Sequence, residues 1–178
     1  MTSQRRMVDS TKPAPEARVL PSGEKARAVT VSSAACADQI RRNAALNGLA
    51  EPEVVVDDGR TTLRRLLDAG RRFGAVVLDP PAFAKSRKAA GAAIRGYGEI
   101  NALGAALVEP GGLLFTSSCS YHAQEDRFVE AVVAGARDAG RRLRAIRRGE
   151  QAPDHPVLPE VPETRYLKSW AFVVDLLD

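Results

Sequence analysis

The sequence has few of the residues that build metal centres, disulfide frameworks or aromatic clusters. Its 178 residues include two cysteines, two histidines, one tryptophan and 5% aromatic residues. Two cysteines do not make a disulfide-rich scaffold, and no Cys/His cluster has the spacing of a zinc site. We therefore expect no metal, and we expect both thiols to be free in a reducing, cytoplasmic setting.

Long apolar runs and a secretory leader are also lacking. The opening stretch MTSQRRMVDSTKPAPEARVL is polar, and no apolar run is long enough to span a bilayer. We expect no membrane association. Residues 1–16 mix Pro, Ser, Thr and charged residues, which predicts a flexible tail before a domain that occupies residues 17–178.

The composition that is present is globular, with a small excess of basic residues. Hydrophobic residues make up 44% of the chain and charged residues 27%, and the length suffices for one domain with a core. The chain has 26 Lys and Arg against 22 Asp and Glu, a net charge of +4. This balance is compatible with a phosphate-bearing partner such as RNA, but it does not establish one.

Segments with strand and helix patterns alternate from residue 28 onward. The predicted strands are 28–31, 53–56, 75–78, 113–118, 143–148 and 169–176. The predicted helices are 34–46, a short one around 63–67, 98–108 and 124–139. Uniformly apolar strands separated by helices indicate a doubly wound α/β fold with a mostly parallel sheet. No helix separates the last two strands, which predicts an antiparallel edge.

Polar residues follow three of these strands, at the edge where ligands bind in such sheets. Asp57 and Asp58 come after EVVV, Asp79 after AVVL and Cys119 after LLFTSS. Each has a simpler explanation: Asp58 as a helix cap, Asp79 as a turn residue, Cys119 as a small buried side chain. Their coincidence at one sheet edge favours a functional site.

The segment Asp79-Pro80-Pro81-Ala82-Phe83 is the most informative part of this edge. Two consecutive prolines stiffen the backbone into a ledge, which holds Asp79 and the Pro80 carbonyl where a planar base is recognised along its edge. Phe83 either stacks on a base or packs beneath the loop, and the second explanation is somewhat favoured.

A basic stretch follows the ledge. Its side chains are Lys85, Arg87, Lys88, Arg95 and Tyr97, separated by small residues. We interpret this stretch as a mobile loop that contacts a phosphate backbone, with a merely solvated charged loop as the alternative.

At these residues the sequence resembles a known family. The segments VVLDPPAFAKS, RGYGEIN, PGGLLFTSSCS and YLKSWAF occur in the same order, over about residues 28–178, as in the bacterial large-subunit ribosomal RNA cytosine-C5 methyltransferases. The resemblance implies the class I methyltransferase fold, S-adenosylmethionine as the cofactor and ribosomal RNA as the partner.

The resemblance also implies roles for individual residues. Cys119 matches the nucleophile that attacks carbon 6 of cytosine and thereby activates carbon 5. Asp79 matches the residue that contacts the base, and with Pro80 it borders the cofactor. Asp58, with Asp57 beside it, matches the acid that accepts from the cofactor's adenine amino group. The expected substrate contacts are Pro81, Phe83, Lys85, Arg95 and Tyr97.

The sequence departs from the family on its amino-terminal side. The first strand and the Gly-rich turn that cradles the cofactor's methionine part are missing or degenerate, and Ser32 or Ser33 stands near the place of the ribose-binding acid. Residues 18–20 resemble the start of that strand, but residues 21–27 are too few for a parallel crossover. We therefore expect a truncated domain, an empty or irregular central strand position, low stability and weak cofactor binding.

Two other functions stay open on the sequence alone. A catalytically impaired remnant, acting at most as an RNA-binding module, is consistent with the missing turn and the basic stretch. An amino-methyltransferase that uses DPPAF is the other alternative, but it leaves Cys119 unexplained.

Overall fold

A computed structural model describes residues 17–20, 28–31, 33–84 and 86–177, of which 17–20 and 28–31 are described as backbone. The tail predicted for residues 1–16 and the predicted contact residue Lys85 lie outside this part of the chain. Within it, no helix is both long and apolar enough to cross a membrane.

One seven-stranded sheet and four α-helices make up the described part of the chain. The strands are β1 (Ala17–Leu20), β2 (Ala28–Val31), β3 (Glu53–Val56), β4 (Phe73–Leu78), β5 (Val108–Ser118), β6 (Arg141–Gly149) and β7 (Lys168–Leu176). The helices are α1 (Ala34–Leu46), α2 (Gly59–Asp68), α3 (Ala90–Leu107) and α4 (Glu125–Asp138), with 3₁₀ turns at Arg87–Ala89 and Pro162–Thr164. The strand order is β3-β2-β1-β4-β5-β7-β6, so β6, with its five arginines, is an edge strand.

The sheet is mixed, with one prevailing strand direction. β2 pairs with β3, and β4 with β5, in parallel. β1 is antiparallel to β2 and β4, and β7 is antiparallel to β5 and β6. Five strands therefore share one direction, and β1 and β7 run the other way. The predicted α/β fold and the antiparallel pairing of the last two strands are confirmed.

The centre of the sheet is filled by β1, which is antiparallel to both neighbours, so of the two outcomes predicted for this position the irregular filling is the one observed. The register of β1 with β4 runs from Ala17 opposite Leu78 to Leu20 opposite Ala75. β1 has the opposite direction to its neighbours because residues 21–27 cannot make a parallel crossover, although they suffice to return the chain as an antiparallel neighbour.

The core lies between one face of the sheet and the helices α2, α3 and α4. One buried cluster joins the helices to the strands, and its larger members are Leu63, Leu66, Phe73, Val76, Leu78, Ile100, Leu107, Val108, Leu114 and Val174. A second cluster surrounds Tyr97, Phe128 and Val132 and includes Phe172 of β7. The end of β4 and the end of β5 are therefore anchored on a packed core.

Helix α3 begins at Ala90, eight residues before the predicted start, so the mobile loop predicted over this stretch is wrong from there onward. The start of this helix is hard to predict from the sequence because its glycines have low helix propensity. One of them, Gly98, serves packing instead: a Cβ at Gly135 of α4 would collide with its carbonyl oxygen. Close approach of the two helices thus requires glycine, and tertiary packing overrides local propensity.

Several of the other boundaries agree with the predictions. Strands β2 and β3 and helix α1 have the predicted limits, and the Oγ of Ser33 caps α1 by accepting from the Cys36 backbone N–H at 3.3 Å. β5 starts at Val108, before the Pro-Gly-Gly segment that was expected to separate it from α3.

Candidate active site

Asp79 and Cys119 come together because β4 and β5 are parallel neighbours that end at the same sheet edge. Ser117 is the last residue but one of β5. Its Oγ donates a hydrogen bond of 2.5 Å to Asp79 Oδ1 and so links the ends of the two strands. Cys119 is a free, partly buried thiol. The edge therefore presents a carboxylate and a thiol, as the sequence predicted.

A buried chain of hydroxyl groups holds the turn that carries Cys119. The Oγ of Ser118 donates to the Tyr97 hydroxyl at 2.9 Å, and that hydroxyl lies 2.9 Å from the Oγ of Ser120. The same Ser120 oxygen accepts from the Ala84 backbone N–H at 3.1 Å. Because this network connects α3, the ledge and the turn, the thiol has a fixed position relative to the Pro-Pro segment.

Lys168 supports the same turn from the other side. It is the first residue of β7, directly opposite Ser118, and is only 8% exposed. Its Nζ donates to the carbonyl oxygens of Ser120 at 2.5 Å and Ala123 at 2.8 Å. Burial lowers the pKa of this ammonium, whereas the nearby Cys119 and Glu125 charges oppose that decrease.

The electrostatic surroundings of Cys119 oppose its ionisation. Burial raises the pKa of the thiol, and the negative charge of Asp79 raises it further. A hydrogen bond from the Cys119 backbone and the positive charge of Lys168 act in the opposite direction. The thiol is therefore more protonated at neutral pH than an exposed cysteine, and Lys168 is the cation that counteracts this.

The proline ledge forms one wall of a cavity of about 230 Å³. Its lining consists of Asp58, Gly59, Arg60, Pro80, Pro81, Phe83 and Ile100. The proline, aromatic and isoleucine side chains supply apolar surface, and Asp58 supplies a hydrogen-bond acceptor. Such a lining suits a planar heterocycle with an amino group at its edge.

Asp58 is the N-cap of α2, so the helix-cap explanation given above is correct. Its Oδ1 accepts from the Thr61 backbone N–H at 2.9 Å and from the Thr61 hydroxyl at 3.1 Å. The Thr61 backbone hydrogen bond is the main cause that lowers the Asp58 pKa. Asp57 is directed elsewhere: its Oδ1 accepts from the Asp58 N–H at 2.8 Å, and its Oδ2 lies 3.8 Å from Arg65. Capping fixes the Asp58 carboxylate at the cavity.

The predicted substrate contacts have different surroundings. Pro81 and Arg95 are exposed. Phe83 packs against both core clusters, with its ring centroid 4.7 Å from that of Tyr97, yet it still lines the ledge cavity. Tyr97 is fully buried and holds the Cys119 turn through its hydroxyl, so it offers no open surface to a substrate, contrary to expectation.

Two further cavities have volumes of about 440 Å³ each, and Asp79 lines one of them and Lys168 the other. One is lined by Asp79, Ser117, Arg147 and Trp170, among others. The other includes Tyr121, Glu125, His155, Arg165 and Lys168. The sequence analysis missed Ser117, Lys168 and Arg147. A usable signal for Ser117 and Lys168 was a polar residue in an otherwise apolar strand, since buried polar groups need partners. Arg147 is exposed on an arginine-rich strand and carries no such signal.

Within the described ranges, no group of three or more His, Cys, Asp and Glu side chains is arranged to hold a metal ion.

The chain is similar to bacterial proteins named ribosomal RNA large subunit methyltransferase I. It is 42% identical over 136 residues to the one from Klebsiella pneumoniae (strain 342), which covers 75% of this chain and 34% of the relative. It is 39% identical over 142 residues to the one from Erwinia tasmaniensis, which covers 79% and 36%. The chain thus spans about a third of the length of these curated relatives. No family model matches it.

Solved structures share the fold at low sequence identity. A candidate SAM-dependent methyltransferase from Streptococcus mutans has a TM-score of 0.69 and 16% identity, covering 85% of this chain and 39% of that one. A candidate methyltransferase complexed with SAH also has a TM-score of 0.69, with 16% identity, 85% and 40% coverage. A methyltransferase homologue from Pyrococcus horikoshii has a TM-score of 0.59, with 16% identity, 84% and 53% coverage. The predicted methyltransferase fold is confirmed.

Proposed function

We propose that this chain carries the catalytic part of an S-adenosylmethionine-dependent ribosomal RNA methyltransferase that methylates carbon 5 of a cytosine through a Cys119 adduct. The observation that carries the proposal is the placement of a free thiol and a carboxylate at one sheet edge, the carboxylate held by a partly buried hydrogen bond from Ser117 and the turn of the thiol held by buried hydrogen bonds. The names of the relatives support ribosomal RNA as the substrate class, and a bacterial cytoplasm is the setting that we propose for it.

The residues on the adenine side of the cofactor site fit S-adenosylmethionine. The ledge cavity has apolar walls at Pro80 and Phe83 and an acceptor at Asp58, which is the chemistry that an aminopurine ring needs. When bound, the cofactor supplies an electrophilic methyl group on a sulfonium. Asp58 would accept from the adenine amino group, and Pro80 would pack on the ring.

The chain's own residues perform the remaining chemistry on the cytosine. The Cys119 thiolate forms a bond to carbon 6, and the electron pair of the 5,6 double bond moves to carbon 5, which takes the methyl group. Asp79 contacts the N3 edge or exocyclic amine of the base and stabilises the adduct. The proton then leaves carbon 5, the double bond re-forms, and the thiolate departs from carbon 6.

Trapping of the adduct tests this mechanism. RNA transcribed from a large-subunit ribosomal sequence with 5-fluorocytosine is incubated with S-adenosylmethionine and the protein. Fluorine cannot leave as a proton does, so the Cys119 adduct should persist and migrate as a covalent complex. Cys119→Ala should give no complex, whereas the matched variant Cys36→Ala should give as much as the unsubstituted chain.

Cofactor binding is tested separately by calorimetry with S-adenosylhomocysteine. Asp58→Asn retains the helix cap but removes the carboxylate charge, because asparagine caps helices as well as aspartate does. We expect weaker binding by this variant at unchanged stability. Equal binding by Asp58→Asn and the unsubstituted chain would show that the Asp58 charge has no part in the site.

A catalytically impaired RNA-binding protein is the second candidate, and the reversed direction of β1 favours it. In this fold the methionine part of the cofactor is expected at the end of the central strand, and here that strand runs antiparallel to β4. A folded chain that binds the ribosomal RNA transcript but neither binds S-adenosylhomocysteine nor forms the covalent complex would favour this candidate.

A further inference from the structure

Lys168 has an unusual combination of burial and bonding for a lysine. Its side chain is removed from water, and its two hydrogen bonds go to neutral backbone carbonyl oxygens, those of Ser120 and Ala123. Lysine is rarely buried without a charged partner, since an unpaired ammonium is costly in a medium of low dielectric constant. Two carbonyl oxygens satisfy its donors only in part, so its positive charge remains uncompensated.

The nearest carboxylate on α4 is already occupied. Glu125 accepts from the Arg148 guanidinium at 2.7 and 2.8 Å and from the Trp170 indole N–H at 3.0 Å. Its charge still reaches Lys168, but the direct ion pair is made with Arg148. Among the groups that face Lys168, this leaves Cys119 as the one whose charge state is free to change.

The groups that face Cys119 come from every element packed around the turn. Asp79 at the end of β4 is negative, Lys168 on β7 is positive, and Tyr97 on α3 is a neutral hydroxyl group in the network behind the turn. Arg148 on β6 pairs with both Glu125 on α4 and Glu150, and none of these three is among the groups that shift the pKa of Cys119. Among the charged groups, one carboxylate (Asp79) and one ammonium (Lys168) therefore decide how readily the thiol ionises.

We propose that Lys168 is a positioning residue which, on the assumption of the function proposed above, stabilises the thiolate of Cys119 and holds its turn through the carbonyl oxygens of Ser120 and Ala123. Burial and Asp79 both disfavour the thiolate, and Lys168 is the side chain that opposes them. The ammonium thus keeps a nucleophile available in a site where the neighbouring carboxylate is needed for the base.

Alkylation of the thiol tests the proposal without RNA or cofactor, so its failure is separate from failure of the proposed function. The rate of iodoacetamide modification at Cys119 is followed by peptide mass spectrometry over a range of pH. Lys168→Met keeps the length of the side chain but removes its charge. We expect the rate at neutral pH to fall several-fold, because loss of the ammonium raises the pKa of the thiol further.

Three controls accompany this variant. Cys36, on α1, is an internal reference whose modification should not change. Lys88→Met removes an exposed lysine and should leave the Cys119 profile as it is, and Lys168→Arg should restore most of the rate. An unchanged Cys119 profile in folded Lys168→Met would overturn the proposal, and so would faster modification at neutral pH, because the ammonium would then not favour the thiolate.

A reciprocal measurement leaves Lys168 itself intact. If the thiolate and the ammonium stabilise each other, each must shift the titration of the other by the same free energy. The ammonium is titrated by NMR in the unsubstituted chain and in Cys119→Ser. We expect the pKa of Lys168 to be lower in Cys119→Ser, and identical titrations would contradict the coupling.

Discussion

The two halves of the sheet are built differently. In the half formed by β4, β5, β7 and β6, the side chains of Leu78, Leu114 and Val174 are fully buried beneath helices. On the other side, where α1 follows β2 and precedes β3, Leu46 is 77% exposed and Leu49 49%. The half that carries the thiol and the carboxylate is positioned by core packing. Around α1 and β3 the described large apolar side chains are partly or mostly exposed, so local features such as the Asp58 cap matter more on that side.

Truncation of one leucine in each half should give the largest contrast. Leu114→Ala removes a fully buried β5 side chain and should cost about 2–5 kcal/mol of unfolding free energy, because it leaves a cavity. Leu46→Ala should change stability by less than about 0.5 kcal/mol, since the side chain is exposed. Urea unfolding measures both. Similar losses would mean that the α1 region is packed more tightly than its exposure indicates.

A pair of glycine substitutions sharpens the same contrast within the packed half. Gly135→Ala should cost about 1–3 kcal/mol, because its methyl group would collide with the Gly98 carbonyl of α3. Gly91→Ala, at the exposed start of α3, should stabilise the helix by up to about 1 kcal/mol. Thermal unfolding compares the two. A neutral Gly135→Ala would show that α3 and α4 separate at little cost.

The N-cap of α2 should contribute an intermediate amount to the free energy of unfolding, on the less tightly packed side of the sheet. Asp58→Ala should cost about 1 kcal/mol at neutral pH, whereas Asp58→Asn should cost little. Since the folded-state pKa of Asp58 is lowered, its charge stabilises the fold above the ordinary Asp pKa, and this contribution disappears as pH falls through the lowered value. The difference between Asp58→Ala and the unsubstituted chain should therefore shrink in acid. A constant difference in urea unfolding across pH would rule out the charged cap.

The smallest expected effect concerns the carboxylate next to the thiol. Asp79→Asn keeps an acceptor for Ser117 but removes a negative charge, so the pKa of Cys119 should fall and its alkylation at neutral pH should become a few-fold faster. The increase is limited because burial, the larger cause of the raised pKa, remains. Asp68→Asn, on an exposed position of α2, is the matched control. Equal alkylation rates in the two variants would contradict the assigned electrostatics.

The sequence was sufficient to predict the strand ends that form the candidate site. Asp79 and Cys119 follow apolar strands of the parallel type, and the geometry of such sheets brings their carboxyl ends together. The direction of β1 was missed, although the shortness of residues 21–27 was recognised, because an antiparallel return was not considered. The start of α3 was missed because its glycines contribute packing that only the three-dimensional contact with α4 reveals.

The support of the Cys119 turn was not predictable in the same way. Ser118 and Tyr97 are 21 residues apart, Ala84 and Ser120 are 36, and Lys168 and Ser120 are 48. Periodicity reports only on neighbours along one element, so it assigns Tyr97 and Lys168 to a basic loop and to the start of a strand. Their shared contact at one turn follows from the strand order, with β7 inserted between β5 and β6.

The arginines of β6 have a consequence for how this chain behaves among its own copies. An edge strand presents unpaired N–H and C=O groups, and a nine-residue edge such as β6 could serve as a template for another strand. Arg142, Arg144, Arg147 and Arg148 are exposed along this edge. A second copy that paired there edge to edge would remove these arginines from water and disturb the ion pairs that Arg144 makes with Asp175 and Arg148 with Glu125 and Glu150. The sheet is thereby protected against growth into aggregates at its β6 side.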